Sequence, residues 1–176
     1  MTTYAYIDNS NLYIEGCRIS GVQNGLAKNI FDAMKTGVVD ITWKMDYGRL
    51  YEFLCGKDAV ARLWGSPPPG DSFWKMLDRK GFNPTVYDKN VQNKEKKVDV
   101  AIAARMTKDA YTVVDKEKDE ILLVAGDGDY LPVIDDLKAE GFKVEVAFWD
   151  HASGELKKGA TNFISLNKYH KHLTAD

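Results

Sequence analysis

Cysteine is scarce, and its two copies, Cys17 and Cys55, form neither a CxxC pair nor a disulfide framework. Both are expected to stay reduced within the core. Long apolar runs are absent: no stretch approaches the ~18 consecutive residues that would suggest a membrane span. The opening Met1-Thr2-Thr3-Tyr4 lacks the basic-then-apolar order of a signal peptide. The expectation is a cytoplasmic chain with no membrane partner. Positive charge is not in excess either, with 24 Lys and Arg against 26 Asp and Glu and a net charge of −2. The sum does not announce a nucleic-acid binder, but its distribution matters more. Lys89, Lys94, Lys96 and Lys97 cluster in one polar segment, Lys157-Lys158 form a second group, and Lys168, His170, Lys171 and His172 a third. Solvated faces and phosphate-positioning groups both account for such clusters.

Familiar catalytic signatures are missing as well. A G-x-G-x-x-G fingerprint would need glycine where Leu131 stands, and no Gly-Lys-Ser/Thr follows to make a P-loop. No Ser-His-Asp or Cys-His constellation has motif-like context. His151 beside Asp150 stands alone as a general acid or base.

What is present is an alternation of strand and helix patterns along one chain of 176 residues, long enough to bury a substantial core. Strand patterns fall at Tyr4–Ile7, Ala59–Trp64, Thr85–Tyr87, Ile121–Ala125 and Lys143–Trp149. Helical patterns lie between them: from about Ser10 towards Ile19, after Asp46, from Asp71 or Ser72 to Lys80, from the lysine-rich segment to Val113, and from a cap at Asp129 to Glu140. Pro132 suits the first turn of that last helix. Residues 20–44, punctuated by Gly21, Gly25 and Gly37, are expected to be an insertion with a short helix near Ala27–Met34. This order predicts a single α/β domain over residues 1–176, built on a mostly parallel sheet of about five strands covered on both faces.

Two of the strand patterns end abruptly in acids. Tyr4-Ala5-Tyr6-Ile7 runs into Asp8-Asn9-Ser10-Asn11, and Ile121-Leu122-Leu123-Val124-Ala125 into Gly126-Asp127-Gly128-Asp129. Ligands of open α/β sheets bind beyond the carboxyl ends of the strands. Asp8, Asp127 and Asp129 are therefore expected in one crevice, joined by the hydroxyl of Ser10 and the amide of Asn11. Like charges gathered there call for a cation, and an oxygen-only set suits Mg²⁺ or Mn²⁺. Capping and turn roles explain the same residues equally well taken one at a time.

Three motifs together resemble the NYN domain, a branch of the PIN-like nuclease superfamily that includes the LabA-like proteins. Ile7-Asp8-Asn9-Ser10-Asn11-Leu12 resembles the family's Asp-x-x-Asn opening. Lys97-Val98-Asp99-Val100-Ala101 resembles its Lys-x-Val-Asp-Val helix. Val124-Ala125-Gly126-Asp127-Gly128-Asp129-Tyr130-Leu131-Pro132-Val133-Ile134 resembles its Ser-Gly-Asp-Gly-Asp-Phe-x-Pro-Leu-Ile element. The resemblance implies a three-layer α/β/α sandwich and Mg²⁺- or Mn²⁺-dependent hydrolysis of RNA phosphodiesters. It implies that Asp8, Asp99, Asp127 and Asp129 form the catalytic and metal-binding set, with Asn11, Ser10, Lys97 and Arg105 towards the substrate. Two departures stand out: Arg105 occupies a position where the family commonly has Asp, and Ala160-Thr161 replaces a usual Ala-Asp pair. Arg105 either contacts phosphate or offsets the acidic cluster.

Single-stranded RNA also calls for stacking platforms, and Tyr13, Trp64, Trp74 and Tyr87 are the candidates, against a core role for each. The competing readings are an RNA-binding module without turnover, a metal-dependent phosphatase or nucleotidase with Asp8 as nucleophile, and a protein-interaction adaptor. Assembly into a homo-oligomer stays open.

Overall fold

The computed structural model describes residues 1–66, 68–87 and 94–176, with side chains from 97 onward in the last stretch. Lys89 and the side chains of Lys94 and Lys96 lie outside the described residues.

Apolar β-prone segments pair into one six-stranded sheet: β1 (Thr3–Asp8), β2 (Ala59–Gly65), β3 (Phe82–Val86), β4 (Glu120–Val124), β5 (Val144–Phe148) and β6 (Asn162–Ser165). The order is β3-β2-β1-β4-β5-β6 and every pairing is parallel. The strand patterns near 4–7, 121–125 and 143–149 are thus neighbours, as expected. The sixth strand is the addition to the expected five. It is a four-residue edge strand, NFIS, overlapping the Phe163–Leu166 stretch that the sequence marks out after a short helix but does not count among the five.

Alternation along the strands splits the core into two layers. Ala5 and Ile7 of β1 face one cluster, with Leu12, Leu50, Leu63, Trp74 and Leu173. Tyr6 faces the other, with Ile102, Met106, Leu123, Ile134 and Leu156. The first layer is covered by α1 (Asn9–Gln23), α3 (Tyr47–Cys55), α4 (Asp71–Arg79) and α8 (His170–Leu173). The second is covered by α5 (Lys94–Thr112), α6 (Leu131–Ala139) and α7 (Gly154–Gly159). Cys17 and Cys55 are buried free thiols, and burial pushes the Cys55 thiol up to about 12. Among the described residues, no helix is long and apolar enough to cross a membrane.

Residues 20–44 are tied into the first layer more firmly than a loose insertion would be. The first helix runs on to Gln23, and α2 (Ile30–Thr36) is capped by the Asn29 side chain on the Asp32 N–H. Trp43 is buried, donates from Nε1 to Thr174 at 2.9 Å, and stacks on His170. A Cβ at Gly16 would lie 2.6 Å from the Trp43 ring, so helix and indole meet only because the side chain is missing there. Asp40 closes the loop, accepting from Ser20 Oγ at 2.7 Å, Asn24 Nδ2 at 2.9 Å and Thr42 Oγ1 at 2.6 Å.

Two caps differ from expectation. Asp8, not Asn9 or Ser10, caps α1, and Asp127 rather than Asp129 begins the short 3₁₀ turn Gly128–Tyr130 that precedes α6. In both cases an acid at or just beyond the strand end accepts a free N–H of the following helical turn, from Asn11 for Asp8 and from Asp129 for Asp127.

Candidate metal centre

Strand order decides where the acids meet. From the centre of the sheet the chain proceeds outward through β2 and β3 on one side and through β4, β5 and β6 on the other. The ends of β1 and β4 therefore flank the switch point, where a doubly wound sheet opens a crevice. Asp8 is the last residue of β1, and Ile7 pairs with Val124, three residues before Asp127. Asp8 is buried, at 7% exposure, and its Oδ1 accepts the Asn11 N–H at 3.3 Å. Asp127 Oδ1 accepts the Asp129 N–H at 2.9 Å.

The glycines of this turn act by leaving room rather than by adopting positive φ. A Cβ at Gly126 would stand 2.3 Å from the Phe148 ring, and one at Gly128 would stand 2.9 Å from Ser153 Oγ. The strand-to-helix turn can therefore lie flat on the loop after β5, which fixes the direction of Asp127 and Asp129.

Helix α5 delivers the fourth acid. Carboxylate oxygens of Asp99, Asp127 and Asp129 all lie within 4.8 Å of one another. That spacing brings three carboxylates within side-chain reach of one shared divalent ion. Asp8, Asp99 and Asp127 line a single cavity of about 550 Å³ together with Ser10, Asn11 and Ser66. Tyr130, 1% exposed, donates its hydroxyl to Asp99 Oδ1 at 2.9 Å. Burial, and then the negative charge of Asp8 and Asp99, raise its pKa far above the ordinary phenol value. It remains a neutral donor among the acids.

The remaining expected residues divide. Asn11 and Ser10 line the cavity, and Lys97 is exposed on α5. Arg105 lies elsewhere: its Nε is 3.0 Å from Asp109 Oδ1, whose other oxygen meets Arg62 Nε at 2.9 Å. With Arg62, Trp64 and Thr85 it borders a separate cavity of about 240 Å³ over the β2–β3 edge. Six residues separate Asp99 from Arg105, roughly 9 Å along the helix and a third of a turn around it. Of the stacking candidates, Trp64 and Trp74 are core, at 5% and 8% exposure, while Tyr13 and Tyr87 are partly exposed.

Two wall residues escaped the motif reading. Glu15 and Arg18 line the cavity, and His151 Nε2 sits 2.6 Å from Glu15 Oε2, which Arg18 Nε also meets at 2.9 Å. Burial works to raise the Glu15 pKa, but hydrogen bonds from His151 and Arg18 outweigh it and hold the carboxyl below its ordinary value. Asn11, Glu15 and Arg18 follow a 4–3 spacing, so one face of α1 already carried this signal.

A sequence model of the NYN domain matches residues 3–167, nearly the whole chain. The chain belongs to the NYN domain family, whose members have a PIN-like, nuclease-type fold. It is similar in fold to the crystal structure of a protein of unknown function from Vibrio parahaemolyticus, with a TM-score of 0.62 at 16% identity over 94% of this chain and 93% of that one. No curated protein matches the sequence.

Proposed function

We propose that this NYN-domain chain is a ribonuclease that hydrolyses phosphodiester bonds of single-stranded RNA with Mg²⁺ or Mn²⁺. The observation that carries the proposal is the convergence of acids from three separate elements: Asp8 and Asp127 at neighbouring strand ends, and Asp99 from a helix, in one cavity with Asp129 beside them. An oxygen-only donor set of this kind fits a hard divalent cation and suits neither Zn²⁺ nor Cu²⁺ as well. The chemistry supplied there by a bound divalent ion would be a lowered pKa for water and positive charge against the scissile phosphate.

The chain's own residues supply position and exclusion. Asp99, Asp127 and Asp129 would hold the ion, with the buried Asp8 in the same cleft. The Tyr130 hydroxyl orients Asp99, as a partner behind a metal ligand does. Asn11, whose N–H is spent on Asp8, presents its side chain to the cavity, and Ser10 and Lys97 steady phosphate oxygens. Arg105 is assigned to the fold through Asp109 rather than to the substrate.

The test is incubation of the purified chain with end-labelled single-stranded RNA in Mn²⁺, in Mg²⁺ and in EDTA. Cleavage that needs the ion and disappears in Asp127→Asn is expected. Cleavage that persists in EDTA would remove the proposed mechanism, and metal-dependent release of phosphate from mononucleotides without RNA cleavage would move the activity to the phosphatase class.

A further inference from the structure

Beside the acidic cleft lies a second cavity of about 570 Å³, within the ~300–1,000 Å³ range of small-molecule sites. The two cavities share Ser10, Ile14 and Ser66, so they adjoin along the first turns of α1. Their chemistry is opposite. The cleft is lined by the carboxylates of Asp8, Glu15, Asp99 and Asp127. The second cavity has no acid among its described lining residues; its walls include the rings of Tyr13, Tyr47 and Phe73, and its one charge is the exposed Lys44.

We infer that this second cavity is a nucleobase pocket, which holds one unstacked base of single-stranded RNA while the adjoining phosphate lies at the carboxylates. The inference rests on the ribonuclease reading for its substrate class. A base has two flat apolar faces and a polar edge, and single-stranded RNA is recognised by stacking the faces on aromatic rings and hydrogen-bonding the edge. The rings here are held rather than loose: Tyr47 and Phe73 meet edge-to-face at 5.3 Å between centroids, and Tyr13 donates to the Trp43 carbonyl at 2.8 Å. The edge would meet Asn9, whose Oδ1 accepts from Tyr47 at 2.8 Å and so has a fixed orientation. Lys44 at the rim supplies the positive charge that a polyanion needs on the side away from the acids. Base and phosphate are thereby sorted: the phosphate requires the cation-bearing cleft, and the base requires the neutral aromatic one. A nuclease built this way cuts with a preference for the nucleotide seated in the pocket.

Two measurements test it. Uncharged ribonucleosides need neither the cation nor cleavage, so all four are added to the full chain in EDTA and followed by saturation-transfer NMR. Transfer to the base protons of at least one is expected. It should vanish in Ile14→Trp, a substitution at a residue 41% exposed that fills the shared mouth. It should weaken about tenfold in Phe73→Leu, which keeps apolar volume but removes one aromatic face. Absence of transfer from every nucleoside, or equal transfer in Ile14→Trp with an unchanged melting temperature, overturns the pocket. The second measurement maps cut sites on a mixed-sequence RNA in Mn²⁺. Base bias in the intact chain that Phe73→Leu flattens supports the pocket, and bias unchanged in that variant overturns it. Nucleoside binding without RNA cleavage would sink the ribonuclease reading and leave the pocket standing; cleavage without nucleoside binding would do the reverse.

Discussion

Asp109 and the Asp99–Asp127–Asp129 group present the same functional group in opposite settings. Asp109 has a side-chain exposure of 3%, accepts hydrogen bonds from Tyr6 Oη at 2.8 Å and Arg62 Nε at 2.9 Å, and is ion-paired with Arg105, whose Nε stands 3.0 Å away. Its charge is answered from within the fold. At the cleft the carboxylates meet one another within 4.8 Å, and Asp127 and Asp129 are exposed. An acid that serves the fold gathers cations and hydroxyls around itself. The acids gathered at the cleft stand instead around the point where the proposed divalent ion would sit. Substitution should therefore separate the two regions: stability lost at one, activity at the other.

The largest effect belongs to the cleft. Asp127→Asn keeps a side-chain oxygen for the Asp129 N–H but removes a charge from the metal set. RNA cleavage in Mn²⁺ should fall by more than the roughly 10–100-fold that loss of a metal's outer-shell partner costs, while the melting temperature holds or rises as like-charge repulsion is relieved. A variant that melts many degrees lower would make Asp127 a residue of the fold and erase the contrast. Next comes Asp109→Ala, which strands two guanidiniums and the Tyr6 hydroxyl. Removing one partner of a buried pair costs about 3–5 kcal/mol, and the partial exposure of Arg62 and Arg105 places this case near the lower end. Urea unfolding reads that loss, and Mn²⁺ affinity measured on the folded variant should match the parent.

A third carboxylate sharpens the comparison through pH. Hydrogen bonds from the Thr42 and Ser20 hydroxyls, the Thr42 N–H and Asn24 hold the Asp40 pKa at about 2, against an ordinary value of 3.8. A carboxyl with a folded pKa below its unfolded one stabilises the fold above the unfolded value, and that contribution fades as pH falls through the folded value. Stability of the clasp between α1 and Trp43 should thus decline from about pH 4 towards about pH 2. Denaturant midpoints at pH 5 and pH 2.5 should differ more in the parent than in Asp40→Asn; equal differences would show that the clasp does not titrate in this window.

Much of this was legible in the sequence because it depended on local pattern. Strand ends marked by acids gave Asp8 and Asp127, the alternation of elements gave a parallel sheet, and motif order gave the family. The rest depended on distance in space. The β6 strand is four residues long and takes its form from pairing with β5. The tie between Trp43 and the C-terminal segment joins residues 131 apart in sequence. The caps at Asp8 and Asp127 shifted by one or two positions, since several cap-forming residues stand side by side and only the turn geometry chooses among them. The aromatic pocket was hidden because Tyr13, Tyr47 and Phe73 come from three helices.

The smallest predicted effect falls on Arg105, the residue for which sequence offered two opposite roles. Its pairing with Asp109 spans i,i+4 on α5, its side chain is 37% exposed, and Arg62 already serves the same carboxylate. Arg105→Ala should therefore cost no more than about 1 kcal/mol, the upper end for an exposed ion pair. Neither alternative role predicts so little elsewhere. A phosphate contact would make Arg105→Ala weaken RNA binding and flatten its salt dependence by nearly one counterion. An offset of the acidic cluster would make Arg105→Asp tighten Mn²⁺ binding. With Arg105 turned to Asp109, the new carboxylate in Arg105→Asp faces an existing one instead, so the fold weakens and Mn²⁺ affinity stays level. Binding isotherms at three salt concentrations, read beside urea midpoints, distinguish these outcomes. A changed salt slope in Arg105→Ala would return the residue to the substrate path and extend the RNA track from the cleft towards the β2–β3 edge.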